Sequence, residues 1–380
     1  MSDTPKAAPS ETNLPVPAAP DDNWRVTEGA AYRVADMVRQ GSSATTIADI
    51  LYDHHEAKHL VRVHSLMLYA FKQKLLIFNP PINEDLQEKL AERFDHQIKF
   101  HVVNNDHIAH LEDPATEEVF RADVVCRQAA KLVAKRIESL LLDKSKESIV
   151  VATAGGLAAS RIVRLMDEEK LIPDEAVTRR LLFISLNSAS MPTDYGYSAN
   201  TLAVRMAQIY GGRHIALCPV WPDKVRKDYE KAVLNIDLLV CGAGSQHGML
   251  FNWLKDHAKI SLPSAAVGDI ALIPISADGK PVPLARSVAS RVAKILNPHP
   301  AYEELQTLAS KDRIVYVAVG HQADDRRTRD LAANAPTHSK LAVTLAILRR
   351  SLARTCVLGN TLARDLAEAT KPPTPPAPNG

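Results

Sequence analysis

Residues able to do chemistry cluster around Cys241-Gly242-Ala243-Gly244-Ser245-Gln246-His247-Gly248, directly after the apolar run Ile236-Asp237-Leu238-Leu239-Val240. Glycines at the carboxyl end of a strand let backbone N–H groups approach a ligand, as open α/β sheets do with phosphates and sugars. Two further pieces extend the pattern: Ala266-Val267-Gly268-Asp269-Ile270 and the hairpin-like Ala277-Asp278-Gly279-Lys280. Upstream, Thr153-Ala154-Gly155-Gly156 runs into a helix expected from Leu157. The unpaired N–H groups of a helix start attract anions, although a plain tight turn explains the same four residues. Asn187-Ser188-Ala189-Ser190 and Tyr195-Gly196-Tyr197-Ser198-Ala199-Asn200 offer hydroxyls and amides that suit a sugar. Ser and Asn are equally common as turn and N-cap residues. Gly320-His321-Gln322 is the fourth such loop, and if the strands are parallel all four share one sheet edge.

The elements that must position these loops follow from periodicity. Strands are expected at Ile149–Ala152, Leu181–Leu186, His214–Cys218, Ile236–Cys241, Ala271–Ile275, Ile314–Val319 and Thr355–Leu358. Helices fall between them at Leu157–Glu169, Asn200–Ile209, Val225–Val233, Asp324–Ala333, Leu341–Ser351 and Leu362–Glu368. Regular alternation with continuously apolar strands predicts a mostly parallel sheet covered on both faces. Ahead of it come a helix at Leu86–Phe94, a strand at Ile98–Val103 and a long helix at Thr116–Leu142. The N-terminal part reads as three small helices, Val26–Gln40, Ala44–Tyr52 and Glu56–Gln73, then a short strand Leu75–Phe78. Residues 1–22 and 371–380 are proline-rich and expected to be disordered, leaving 23–80 and 81–370 as the structured domains.

Composition narrows the function. The 380 residues carry a net charge of +2, so any nucleic-acid contact must come from a local basic face. Four widely separated cysteines form no CxxC pair and read as buried reduced thiols. No apolar run is long enough to span a bilayer and the start lacks a signal-peptide core, which points to the cytoplasm. The 14 histidines show no HExxH spacing, and His54-His55 is read as a solvated turn, so no metal or cofactor is expected.

Taken in order, these residues resemble the signature of the SorC/DeoR family of bacterial sugar-responsive transcriptional regulators. Asp237 to Ser245 resembles its strand and glycine loop, Ala266-Val267-Gly268-Asp269-Ile270 its Gly-Asp element, and Asp278-Gly279 its turn. Val151 to Leu157 resembles the family's first phosphate loop, and Ser198 to Ala203 its Asn-bearing helix start. Val317 to Gly320 and Cys356 to Ala363 resemble its closing strands. The resemblance implies an α/β protein: an N-terminal helix-turn-helix (winged-helix-like) domain followed by a larger Rossmann-like, NagB/RpiA-type effector-binding domain. It implies a phosphorylated sugar effector, operator DNA as partner and a homo-oligomer, dimer or tetramer, with no membrane contact. The effector residues so implied are Thr153, Gly155, Gly156, Ser188, Ser190, Asn200, Gly242, Gly244, Ser245, Gln246, Gly268, Asp269, Gly320 and Arg326. Lys58, His59, Arg62 and Ser65 are the implied groove contacts, with Lys72 and Lys74 for phosphates.

The chain departs from that pattern in places. The turn Tyr52-Asp53-His54-His55 lacks the usual glycine, Ala154 stands where the family often has Trp, and Asp324-Asp325 precede Arg326. An enzyme of the sugar-phosphate isomerase or deaminase class is the main alternative, since its loop also carries Gly, Gly and His. That chemistry needs an acidic base in the loop, and Gln246 stands near where the acid belongs. A non-enzymatic regulator is therefore expected, with an effector sensor acting through protein partners as the remaining class.

Overall fold

The first two helices each begin on a hydroxyl cap. Thr27 Oγ1 accepts the Ala30 N–H at 3.2 Å ahead of α1, Glu28–Arg39. Ser43 Oγ accepts the Thr46 N–H at 3.1 Å ahead of α2, Ala44–Tyr52. Each satisfies a donor that a helix start leaves open. Asp53 then takes the left-handed conformation at φ 61°, the role usually given to glycine, and α3 runs Ala57–Lys72. The protein is described by a computed structural model over residues 26–73, 79–105, 114–168, 179–187, 195–215, 223–296, 301–319 and 340–371. Two units are distinguished, Met1–Phe78 and Asn79–Gly380. Leu75–Phe78, the helix at Asp324–Ala333, Cys218, residues 1–22 and residues 372–380 lie outside the described residues.

The first unit packs its three helices around Ala31, Val34, Ala35, Ile47, Ala48, Val63, Leu66 and Ala70. Half of these are alanines, so most of the buried volume rests on four larger side chains, each worth roughly 1.5–3 kcal/mol. The buried stripe of α3 is His59, Val63, Leu66 and Ala70, so His59 shares the face that packs inward.

In the second unit the elements are α4 Glu84–Arg93, β1 Lys99–Val103, α5 Pro114–Leu142, β2 Ile149–Thr153, α6 Leu157–Glu168 and β3 Leu181–Ser185. After these come α7 Ala199–Tyr210, β4 Arg213–Ile215, α8 Asp223–Leu234, β5 Ile236–Cys241, β6 Ala243–Ser245 and α9 Met249–Asp256. The rest are β7 Ala266–Ile270, β8 Ile273–Ser276, α10 Arg286–Leu296, α11 Tyr302–Ser310, β9 Ile314–Ala318, α12 Leu341–Arg349, β10 Thr355–Gly359 and α13 Asn360–Ala369. Seven strands form a parallel sheet in the order β1-β10-β9-β5-β2-β3-β4. Ile149, Val151, Phe183, Leu238 and Val317 pack toward α5, α6 and α7. Val150, Ala152, Leu239, Tyr316 and Leu358 pack with residues of α4, α8, α11, α12 and α13. Burial on both faces is why these strands read as unbroken apolar runs. Among the described residues no helix is long and apolar enough to cross a membrane.

Carboxylates tie the amino-terminal edge of the sheet. Asp237 accepts the Val150 N–H at 3.1 Å where the β2–β5 register shifts, and its other oxygen takes Lys146 Nζ at 2.5 Å. Asp312 Oδ1 accepts the Thr355 hydroxyl at 2.7 Å, while Oδ2 pairs with Arg136 at 2.9 Å.

One expected strand is corrected. Ala271–Ile275 does not join the parallel sheet; β6, β7 and β8 form a separate three-stranded antiparallel sheet. A two-residue turn at Ala271 (φ 48°) and Leu272 (φ 64°) reverses the chain between β7 and β8. Such a turn needs both central residues at positive φ and is normally signalled by Asn or Gly, so this pair left no sequence trace. The short strand β6 and helices α9, α10 and α11 are likewise absent from the sequence expectation.

Two substitutions test the first unit. Leu66→Ala should cost about 2–5 kcal/mol, enough to melt that unit's helices by circular dichroism at ambient temperature. Asp53→Gly should be neutral or stabilise by up to about 1 kcal/mol in thermal melts, because Asp53 occupies the left-handed region.

Candidate functional site

The carboxyl ends of β2 and β5 meet where the sheet changes its direction of growth. From β2 the chain continues to β3 and β4 on one side, and from β5 to β9 and β10 on the other. A crevice at such a reversal is the usual ligand position of an open α/β sheet. Thr153-Ala154-Gly155-Gly156 leaves β2 there, and Gly242 leaves β5.

The β2 loop is held by its own neighbours. Thr153 is 1% exposed and its hydroxyl accepts the Gly155 N–H at 3.3 Å. Gly156 donates its N–H to Tyr197 O at 2.8 Å. Both glycines sit at positive φ, 82° and 92°. A Cβ on Gly155 would lie 2.9 Å from Ala199 N and Tyr197 O, whereas the space beside Gly156 is open. The two N–H groups expected to hold an anion are thus taken internally. The first helical bond of α6 runs from Ser160 N–H to Gly156 O, so the N–H groups of Leu157, Ala158 and Ala159 are the donors facing beyond the helix start. Asn187 Nδ2 closes onto Ala154 O at 2.8 Å, and the Ser185 hydroxyl donates to Asn200 Oδ1. Asn200 therefore braces β3 against α7.

The β5 loop differs more from expectation. Gly244, Gly268 and Asp269 are strand residues, paired as Gly244 with Asp269 and Ser245 with Gly268. A Cβ on Gly268 would fall 2.3 Å from Gly244 O and 2.6 Å from Val343 Cγ2. A Cβ on Gly244 would fall 2.2 Å from Asp269 Oδ1. These two glycines let β6, β7 and α12 approach each other; they are packing residues. Gly242 stands at the edge of β5, 3.3 Å from Val317 O by the same measure. Gln246 and His247 are exposed and bonded to each other at 3.1 Å. Ser245 is 3% exposed, and its hydroxyl has no hydrogen-bond partner among the described residues.

Asp269 is 5% exposed; Oδ2 accepts the Leu272 N–H at 3.2 Å and stabilises the turn, while Oδ1 lies against Gly244 without a hydrogen bond. Burial pushes its carboxyl up to about 6 from an ordinary 3.8, opposed by the Leu272 N–H and the Lys340 charge. Burial likewise pushes the Cys126 and Cys241 thiols up to about 12, which suits inert core cysteines. Ser188, Ser190, Gly320 and Arg326 lie outside the described residues.

In the first unit, the groove contacts expected on α3 separate. Lys58 is exposed and pairs with Glu56 at 2.8 Å. Arg62 lies over the Tyr52 ring, 6.0 Å from its centroid. His59 is corrected: it is 4% exposed and stacks on Tyr52 at 4.8 Å, so it cannot reach a groove. The Ser65 hydroxyl donates to Val61 O at 2.8 Å. Lys72 is in the last turn of α3, and Lys74 lies outside the described residues. Val61 and Leu68 are among the exposed residues of α3, at 63% and 57%.

Sequence reasoning missed Ser185 and the Asn83, Asn105 and Asn360 cluster. Asn83 Nδ2 donates to Asn360 Oδ1 at 2.8 Å, and Asn105 Oδ1 accepts the Asn360 N–H at 3.2 Å. Nothing beside Asn360, the first residue of α13, signals this, since its partners are more than 250 positions away in sequence.

No family model matches the sequence, and no curated protein matches it. Solved structures do. A DeoR family transcriptional regulator from Listeria monocytogenes is 16% identical with a TM-score of 0.50, covering 74% of this chain and 98% of that one. The full-length sorbitol operon regulator SorC from Klebsiella pneumoniae is 13% identical with a TM-score of 0.49, covering 90% of this chain and 100% of that one. A transcriptional regulator from Streptococcus pneumoniae is 14% identical with a TM-score of 0.49, covering 75% of this chain and 97% of that one. The chain thus shares an α/β fold with a DeoR family regulator.

Gly268→Ala should destabilise the second unit by about 3 kcal/mol or more in urea unfolding, because backbone and Val343 block the added methyl. Asp269 supplies a pH test. Its folded-state pKa of about 6 exceeds the ordinary 3.8, so the folded protein binds the extra proton between these values and loses stability as pH rises through them. The loss is about 3 kcal/mol. Asp269→Asn should accordingly be more stable than the parent at pH 7.5, with the difference vanishing below about pH 4, as read by unfolding at a series of pH values.

Proposed function

We propose that this protein is a ligand-responsive transcriptional regulator, its second unit binding a phosphorylated sugar or related metabolite and its first unit binding operator DNA as a homo-oligomer. The observation that carries this reading is the reversal crevice between β2 and β5. It is lined by the start of α6 and by Gly242, while the acid of β7, Asp269, is buried behind Gly244. A base for isomerase or deaminase chemistry must reach a substrate proton, and Asp269 Oδ1 faces the Cα of a paired strand. The burial of Asp269 supports a site that holds a ligand without converting it. The order of motifs along the chain and the fold shared with a DeoR family regulator support the same reading.

In the first unit, α2, the four residues Asp53 to Glu56 and α3 match the arrangement of a helix-turn-helix pair, with Asp53 standing in for the glycine of the turn. Lys58 and Arg62 are the cations on its second helix, joined by Lys72 in the last turn. A ligand shifts DNA affinity only by binding one subunit arrangement better than another, so the effector must sense the oligomer as well as the pocket.

A thermal-shift screen of sugar phosphates against the purified protein checks the effector. At least one should raise Tm, by about 2.7 kcal/mol of stabilisation at a hundredfold excess over Kd. Ser245→Ala should weaken that shift without lowering the Tm of the free protein, because its hydroxyl has no partner among the described residues. The absence of a shift with every phosphorylated sugar would overturn the effector assignment. For DNA, log affinity for the upstream region should fall linearly with log salt, and Lys58→Ala should flatten that slope by about one unit.

A further inference from the structure

We infer that the turn between α2 and α3 is a binding site for a divalent transition metal of the zinc class, ligated by His54, Glu56 and His59. The ligand atoms these three side chains offer all lie within 4.8 Å of one another. His54 Nε2 and Glu56 Oε1 are already 3.4 Å apart. Bonds of about 2.0–2.1 Å in tetrahedral geometry place donor atoms about 3.3 Å from each other, so one edge of the polyhedron is preformed. The other two edges close by rotating His54 and Glu56, both exposed.

His59 is the anchor. Its Nδ1 lies 3.0 Å from His54 O, and a carbonyl only accepts, so Nδ1 carries the proton and Nε2 of the neutral ring presents a lone pair. Donation of the second ring nitrogen to a backbone carbonyl is the support that metal-bound imidazoles use to fix tautomer and orientation. The ring is 4% exposed and stacked on Tyr52 at 16° between planes, which holds its direction. Two imidazoles and a carboxylate suit zinc, nickel or copper and leave a fourth position to solvent. Asp53 makes the cluster possible, since its left-handed backbone turns His54 and Glu56 over the first turn of α3. A bound ion would tie that turn to α3 and stiffen the link between the two helices. The site stands whether or not α3 reads DNA.

Cobalt titration of the full-length, chelator-dialysed protein tests it. One equivalent of Co2+ should give the visible absorption of four- or five-coordinate cobalt, and Zn2+ should displace it. His54→Ala and Glu56→Gln, at exposed positions where folding is kept, should each weaken binding by at least ~10-fold. His59→Ala empties a buried position, so it is not needed for the test. His55→Ala, which removes the neighbouring imidazole bonded to Asp49 at 2.7 Å, should leave affinity within about twofold. Binding unaltered by the paired His54→Ala and Glu56→Gln substitutions, or lost equally with His55→Ala, would overturn the site, as would a spectrum of hexaaqua-like cobalt alone.

Discussion

The pairing of β2 with β5 is the constraint on which the second unit depends. Strands added after β2 extend the sheet one way and strands added after β5 extend it the other. Crossovers between parallel strands are right-handed, so a change in the direction of growth changes the face on which the connecting helix lies. The helices obey this. The rightward connections, α5 from β1 to β2, α6 and α7, lie on one face; the leftward ones, α8, α11 and α12, lie on the other. The crevice at the β2 and β5 ends is the gap left between the two sets. Asp237, bonded to Val150 N–H and to Lys146, secures that pairing at the opposite edge, at the point where its register slips.

Close approach explains most of the glycines near the crevice. Gly155 admits the segment Tyr197 to Ala199, Gly244 admits the Asp269 carboxylate, and Gly268 admits Gly244 O and Val343. A side chain at any of these would drive apart elements whose packing shapes the pocket. Glycine is therefore needed in the contacts between the walls of the crevice. Only Gly156, beside open space, keeps the combination of positive φ and an unobstructed side. Polar groups follow the same logic: Thr153 bonds within its own loop, Asn187 to the β2 loop and Asn200 to β3, and the rigidity so gained preorganises the crevice.

In the first unit a small core and an unusual turn are linked. Four of its eight core residues are alanines, and His59 shares the buried face of α3 beside Val63, Leu66 and Ala70. An imidazole in that position needs a hydrogen bond, and His54 O supplies it because Asp53 reverses the chain. The same reversal gathers His54, Glu56 and His59.

The strands at Ile149, Leu181, Ile236, Ile314 and Thr355 were legible in the sequence because both faces of each are buried, and apolar runs bounded by turns reveal that directly. So were the three N-terminal helices, from their periodicity. Gly268 and Asp269 were legible as unusual residues, but not as strand residues. Their placement depends on a turn at Ala271-Leu272 that neither residue type announces and that β6 and α12 hold in place. The burial of His59 also required the fold, since a one-residue rotation of the helical stripe decides whether position 59 or 60 faces inward. Local pattern is set by each residue's own chemistry and is carried in the chain; which glycine borders open space and which meets another strand is decided by contacts between segments far apart in it.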